Sequence, residues 1–163
     1  MSSVSSSRAA AIRRRQKTTA EIRGSMRELI IQLSLLNHQV SAHLGFKDID
    51  LDCLNLIDRH GPLSPSALAR HAGLHPATLT GVLDRLERGG WVARERDPSD
   101  RRAVVVRALH DRYAELMRLY SGMNRSMNQI CAGYGDTELE LLADFLHRTA
   151  EAGQVAAEAL GGD

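Results

Sequence analysis

Residues 64–106 read SPSALARHAGLHPATLTGVLDRLERGGWVARERDPSDRRAVVV, and this stretch contains the densest structural signals in the chain. Ser64 followed by Pro65 is typical of a helix start, because a serine hydroxyl caps the first turn and proline fits the first helical position. A glycine at 73 ends this helix, and a second helix follows from Pro76 to the glycine pair 89–90. Two short helices separated by a tight turn predict a helix-turn-helix.

The second of these helices has one apolar face. Leu79, Val82, Leu83 and Leu86 recur at the i, i+3, i+4, i+7 spacing of an amphipathic helix. The small side chain of Ala69 lets the first helix pack closely against it. Any small helical core shows similar spacing, so the residues that follow are needed to specify the fold.

A β-hairpin is predicted next. Residues 91–96 and the β-branched run 103–106 flank the turn-forming residues 97–100. The tip carries Arg101 and Arg102. A narrow minor groove has enhanced negative potential and accepts an inserted arginine, so a basic hairpin, or wing, beside a recognition helix can contact both grooves of DNA. The alternative is a solvated loop in which Asp and Arg side chains pair with each other.

Long helices are predicted on both sides of this module. From Ile22 to Val40, and again from Leu116 to Tyr134, apolar residues recur in steps of four and three, which is the period of a helix packed along another helix. A last helix begins near Asp136. Two such apolar helix faces offer more apolar surface than one chain of 163 residues can readily bury. This predicts a homodimer formed by the terminal helices, with an intramolecular bundle as the alternative.

The chain therefore divides into four predicted segments. They are a disordered polar tail over 1–11, an N-terminal dimerisation helix over 12–46, a winged helix-turn-helix DNA-binding module over 47–109 and C-terminal dimerisation helices over 110–163. The predicted fold class is mainly α with a small β-hairpin wing, a winged helix-turn-helix flanked by long dimerisation helices.

Charge is distributed unevenly along the chain, although the net charge is only +1. Residues 1–61 carry nine Lys or Arg against six Asp or Glu, and residues 62–109 carry eight against five. Residues 110–163 carry four against nine. The acidic tail should face away from a polyanion, so this asymmetry suits a protein with one nucleic-acid face.

Other function classes find less support. The sequence has no phosphate-cradling glycine motif, nucleophile elbow or paired zinc-ligand motif, so we expect no enzyme, cofactor or metal. A metal sensor that uses the scattered histidines, or a redox sensor, is an alternative, but Cys53 and Cys131 lie in or beside apolar patterns typical of inert thiols. Few cysteines, no secretory signal and no apolar run of about 18 residues predict a cytoplasmic protein without a membrane segment.

Residues 79–94, LTGVLDRLERGGWVAR, followed by Asp100-Arg101-Arg102, resemble the MarR family of bacterial regulators. The resemblance covers 61–109 in sequence detail and the flanking helices in order and length. It implies a symmetric dimer with interlocked terminal helices. It also implies, in many cases, a repressor that is released from DNA by a small, often phenolic or otherwise aromatic effector.

The resemblance also implies site residues. The second short helix, which begins at Pro76, is the recognition helix. Its residues expected to face the major groove are Ala77, Thr78, Thr80, Gly81 and Arg85. Ser64 and Ser66 are expected at phosphates, Asp100 is expected to hold the wing, and Arg101 or Arg102 is expected to enter the minor groove. Arg94 completes the candidate DNA-binding set. The chain departs from many relatives at Gly81, where they carry a larger polar residue, and at Leu109-His110 after the second wing strand.

These observations together predict a sequence-specific regulator of transcription. It would bind a pseudo-palindromic operator in double-stranded DNA as a homodimer, most simply as a repressor. A small aromatic effector would act in a cleft between the long helices and the winged module. A metal- or redox-responsive regulator, and a winged helix that binds only protein, are the alternatives.

Overall fold

The computed structural model describes residues 2–100 and 102–160, with side chains from residue 8 onward. The elements are α1 Ser2–Leu44, α2 Asp48–His60, α3 Pro65–Ala72, α4 Pro76–Arg88, β1 Val92–Arg96, β2 Val104–Ala108, a single 3₁₀ turn His110–Arg112, α5 Tyr113–Leu119, α6 Ser121–Cys131 and α7 Asp136–Leu160. They form two compact units, Met1–Asp48 and Ile49–Asp163. The predicted fold class, mainly helical with one antiparallel hairpin, is confirmed.

The first unit is the helix α1. It begins at Ser2, whereas the sequence predicts a disordered tail over 1–11, so that prediction is wrong for residues 2–11. The reason is that Ala and Arg, which dominate residues 8–15, are among the strongest helix formers, and no Gly or Pro precedes Gly24. The helix ends in a Schellman motif, in which Gly45 takes a φ of 68° and the N–H of Phe46 donates to the carbonyl of Ser41 at 2.8 Å.

The helix-turn-helix of the second unit forms as the sequence predicts. The Ser64 hydroxyl accepts a hydrogen bond from the N–H of Ala67 at 3.2 Å and caps α3. Gly73 ends α3 with a left-handed φ of 62°, and the His75 Nδ1 caps α4 by accepting from the N–H of Ala77 at 3.3 Å. Glycine is suited to the turn because a β-carbon is disfavoured at that φ. The two helices therefore begin and end at the predicted residues.

The hairpin pairs β1 with β2 in antiparallel register from Val92 opposite Ala108 to Arg96 opposite Val104. A third backbone segment, which the sequence analysis missed, joins it at Leu63. The N–H of Leu63 donates to the carbonyl of Val106 at 3.1 Å, and the N–H of Val106 donates back at 2.7 Å. This bridge attaches the hairpin directly to the start of the helix-turn-helix.

The core of the second unit combines side chains from α2, α3, α4, α5 and the hairpin. The largest fully buried apolar residues are Leu51, Ile57, Leu68, Leu79, Leu83, Leu86, Trp91 and Leu116. Truncating one such side chain to alanine typically costs about 2–5 kcal/mol of stability, so this cluster determines where α4 lies.

The C-terminal helices differ from the prediction in one respect. The apolar pattern from Leu116 to Tyr134 predicts one continuous run, but α5 ends at Leu119 and α6 begins at Ser121. Ser121 and Gly122 are weaker helix formers than the residues before them, which explains a break at this place. No residue of α7 is buried within the described chain, and Leu141 is 69% exposed.

Candidate nucleic-acid interface

Helix α4 presents two chemically different faces. Leu79, Val82, Leu83 and Leu86 are buried, and Ala77, Thr78 and Thr80 are exposed. The exposed side chains are small or carry a hydroxyl group. Such a face can approach the floor of a groove closely and donate or accept hydrogen bonds there.

Two α4 residues of the predicted set, Thr80 and Gly81, have defined surroundings. The Thr80 hydroxyl donates to the carbonyl of Pro76 at 3.1 Å, which orients the hydroxyl oxygen while leaving it able to accept. Gly81 is partly exposed, and a β-carbon there would lie 3.5 Å from Nη1 of Arg85, an ordinary contact distance. Packing within the described chain therefore does not require glycine at position 81.

We expect Gly81→Ala to raise the free energy of unfolding by about 0.5–1 kcal/mol, because alanine is the better helix former and its methyl group has room. Urea denaturation of the two proteins measures this difference. Gly73→Ala is the matched control and should destabilise, since its φ of 62° strains an alanine. If Gly81→Ala is the less stable protein, the helix is not packed as described.

Ser64 and Ser66 lie at the start of α3. Their hydroxyl oxygens are 3.1 Å apart, and the Ser64 hydroxyl also caps the helix. Ser66 is exposed. Ser66 is therefore accessible for the predicted phosphate contact, whereas the Ser64 hydroxyl already accepts the hydrogen bond that caps α3.

Arg85 is held by a carboxylate. Its Nε donates to Oδ2 of Asp50 at 3.0 Å and its Nη2 donates to Oδ1 at 2.6 Å, which makes a bidentate ion pair. The Asp50 side chain is 1% exposed and that of Arg85 34%. The hydrogen bond to Asp50 raises the pKa of Arg85. The sequence analysis placed Arg85 against DNA and missed Asp50, although Asp50 precedes Leu54 and Ile57 by the four and seven residues that put it on the buried face of α2.

Arg94 joins the hairpin to α4. Its Nη2 donates to Asp84 at 2.6 Å and its Nη1 to Glu87 at 2.7 Å. The hydrogen bond to Asp84 is the largest cause of the raised pKa of Arg94. With both acids on α4, Arg94 braces the first wing strand against the recognition helix, a role that the sequence prediction of a DNA contact did not include.

Aspartates order the tip of the wing. One carboxylate oxygen of Asp97 accepts from the N–H of Ser99 at 2.7 Å and from its hydroxyl at 2.6 Å. Asp100 accepts from the N–H of Arg102 at 2.9 Å. Arg102 is exposed, and Arg101 lies outside the described residues. The turn therefore holds its backbone by side-chain acceptors and presents the Arg102 side chain to solvent.

The hydrogen bonds from Ser99 hold the pKa of Asp97 below its usual value, the hydroxyl having the largest effect. We expect Ser99→Ala to raise that pKa, although the backbone N–H of residue 99 keeps it depressed. A carboxylate with a lowered folded pKa stabilises the fold above its unfolded pKa and loses that effect as the pH falls through the folded pKa. NMR titration of the carboxyl carbons tests this. Glu95, whose pKa is lowered by Arg107, is the internal control that should not move.

Arg112 connects the end of α4 to the start of α5, and sequence reasoning missed it. Its Nη1 donates to the carbonyl of Gly89 at 2.8 Å, and its guanidinium lies 4.3 Å from the centroid of the Trp91 ring. The Tyr113 hydroxyl, next in sequence, donates to Asp58 on α2 at 2.7 Å. The start of α5 is thus attached to the end of α4 by Arg112 and to α2 by Tyr113.

The cysteine and histidine residues considered for a redox or metal sensor lie in surroundings that do not favour those roles. Cys53 is buried, and burial, reinforced by Asp52 and Asp50, raises its pKa to about 11, so the thiol stays protonated near neutral pH. His38 lies 3.0 Å from Asp48, His60 stacks on His71, and His75 caps α4. Within residues 2–100 and 102–160 no three His, Cys, Asp or Glu side chains gather as metal ligands. None of the helices described there combines the length and apolarity needed to cross a bilayer.

Comparison with known proteins identifies the family. Residues 50–104 match the model of the MarR family. The uncharacterized HTH-type transcriptional regulator YcgE of Bacillus subtilis is 32% identical over 142 residues, which cover 82% of this chain and 92% of that protein. The chain belongs to the MarR family. The predictions that it is a helix-turn-helix transcription regulator and not an enzyme are therefore confirmed, and membership implies DNA binding.

Solved structures of a MarR family protein and of another transcriptional regulator share the fold. A MarR family protein from Bacillus stearothermophilus aligns with a TM-score of 0.63 at 21% identity, covering 84% of this chain and 96% of that one. The transcriptional regulator Tm0710 from Thermotoga maritima aligns with a TM-score of 0.59 at 23% identity, covering 82% and 94%. At these identities the likeness concerns the fold alone.

Proposed function

We propose that this MarR-family regulator is a cytoplasmic, homodimeric repressor that binds a pseudo-palindromic operator in double-stranded DNA. The observation that carries the proposal is the exposed face of α4, with Ala77, Thr78 and Thr80, braced by Arg94 against the first strand of a wing whose tip presents Arg102. A recognition helix enters the major groove, and an arginine-bearing wing suits the adjacent minor groove.

The proposed contacts follow from exposure and charge. Thr78 and Thr80 offer hydroxyl groups to base edges or phosphates, and Ser66 offers one at the start of α3. Arg102, together with Arg101, supplies positive charge to the minor groove. Arg85 and Arg94 already pair with carboxylates and therefore act in this proposal by holding the helix and the wing in place.

Two observations, taken separately, support a dimer. On α7, Leu141, Leu142, Phe145 and Leu146 are all exposed, and in α1 so are Ile22, Leu29 and Leu33. Helices this exposed gain little stability from their own chain, and contiguous exposed apolar faces mark protein interfaces. A second copy of the chain is the partner that we propose.

Selection of bound fragments from random duplex DNA tests the proposal. We expect an inverted repeat with half-site centres about 34 Å apart, one helical turn, because a two-fold axis relates the two recognition helices. A single unrepeated site would contradict the dimer. Binding without sequence preference would favour the alternative of a winged helix that contacts protein.

Replacing the wing arginines should change the salt dependence of binding. We expect Arg101→Ala with Arg102→Ala to weaken binding and to lower the slope of log K against log salt by about 1–2, since each neutralised phosphate contributes about 0.9. Titrations at several salt concentrations measure the slope. Arg125→Ala, on the exposed surface of α6, is the matched control. An unchanged slope in the wing variant would remove the wing from the interface.

The proposal also includes repression as the effect on transcription and a small effector that regulates DNA binding. The transcriptional repressor YetL of Bacillus subtilis is 30% identical over 84 residues, half of its length. This similarity supports repression rather than activation. Arg112, at the start of α5, donates a hydrogen bond to Gly89 at the end of α4. A ligand that moves α5 would therefore also move the end of α4. A small aromatic effector that prefers the moved state would lower operator affinity by linkage. A ligand that binds tightly yet leaves operator affinity unchanged would contradict this part.

A further inference from the structure

The buried ion pair between Asp50 and Arg85 joins the first turn of α2 to the last turn of the recognition helix. We propose that Asp50 and Arg85 are positioning residues, which set the orientation of α4 and so the affinity for a specific site without contacting DNA. The proposal rests on the DNA-binding function argued above, and it assigns Arg85 a role different from a base contact.

The position of Arg85 on its helix supports this assignment. Arg85 follows Thr78 by seven residues and Gly81 by four, so all three lie on one side of α4, the side proposed to meet DNA. Its guanidinium nevertheless turns to Asp50, and Nη1 passes over Gly81 at 3.5 Å from where a β-carbon would be. At that distance a methyl group at position 81 would be in ordinary contact with the guanidinium, so the path does not depend on glycine.

The geometry of the pair supports a positioning role. Two parallel hydrogen bonds, at 3.0 and 2.6 Å, restrain both the distance and the relative rotation of the groups they join. Asp50 is 1% exposed, so its carboxylate depends on partners within the protein rather than on water. Apolar packing by Leu83 and Leu86 buries α4 but is not directional, whereas the bidentate pair is.

Asp50→Asn distinguishes the two roles, because they predict opposite signs. If Arg85 contacts DNA directly, removing its carboxylate partner frees the guanidinium, and operator affinity stays equal or rises. If the pair positions α4, operator affinity falls, and we expect a loss on the order of tenfold, as for one charge-assisted hydrogen bond. Binding to unrelated duplex DNA and the salt slope should not change, since no phosphate contact is lost.

Arg85→Lys provides a second arm, because it keeps a cation opposite Asp50 but cannot form the bidentate pair. We expect it to lose operator affinity with an unchanged salt slope, like Asp50→Asn. The matched control is Glu140→Gln, which removes an exposed carboxylate on α7 and should bind as the unaltered protein does. Circular dichroism confirms that each variant is folded. Equal or tighter operator binding by Asp50→Asn, or a salt slope lowered by Arg85→Lys, would overturn the proposal.

A measurement without DNA keeps this proposal separate from the proposed function. Amide hydrogen exchange should be faster in α4 of Asp50→Asn than in the unaltered protein, while β1 and β2 keep their protection. If the unaltered protein shows no sequence preference, the proposed function fails. The exchange rates then decide on their own whether the pair holds α4, and unchanged exchange in α4 would contradict the positioning role.

Discussion

Burial of one side of α4 is the constraint on which the rest of the second unit depends. Leu79, Val82, Leu83 and Leu86 place that side in a core shared with α2, α3 and the hairpin. Since a helix has one buried side, the opposite side must face solvent, and the small residues there become available to a ligand. The interface and the core are therefore two consequences of the same amphipathic pattern.

Apolar burial leaves the orientation of α4 loosely specified, because hydrophobic contacts are not directional. Three arginines supply direction. Arg85 joins α4 to α2, Arg94 joins β1 to α4, and Arg112 joins the end of α4 to the turn before α5. Each contact has a defined donor and acceptor geometry, so together they relate the recognition helix to three neighbouring elements. This arrangement explains how a face made of small side chains can have a fixed position.

The same arrangement explains why charge counts along the sequence describe a DNA-binding face only approximately. Residues 62–109 carry eight Arg against five acids, yet Arg94 pairs with Asp84 and Glu87, and Arg107 pairs with Glu95. Paired guanidinium groups contribute a weaker outward field than exposed ones such as Arg102. The exposed guanidinium groups outside these ion pairs include those of Arg70, Arg88, Arg96 and Arg102, of which the last two lie on the wing.

Local chemistry determined much of this protein. The Ser64-Pro65 start, the glycine at 73 and the period of apolar residues in α4 each act within a few residues, so helix limits and the hairpin could be predicted from the sequence. The helical start of α1 departs from the tail expected from polar composition, because the helix propensity of Ala and Arg outweighs that composition. Only the tertiary structure decided the partners of Arg85, Arg94 and Arg112. An ion pair across 35 residues, as between Asp50 and Arg85, depends on how helices pack, and neither residue type nor spacing records which of several carboxylates comes within reach.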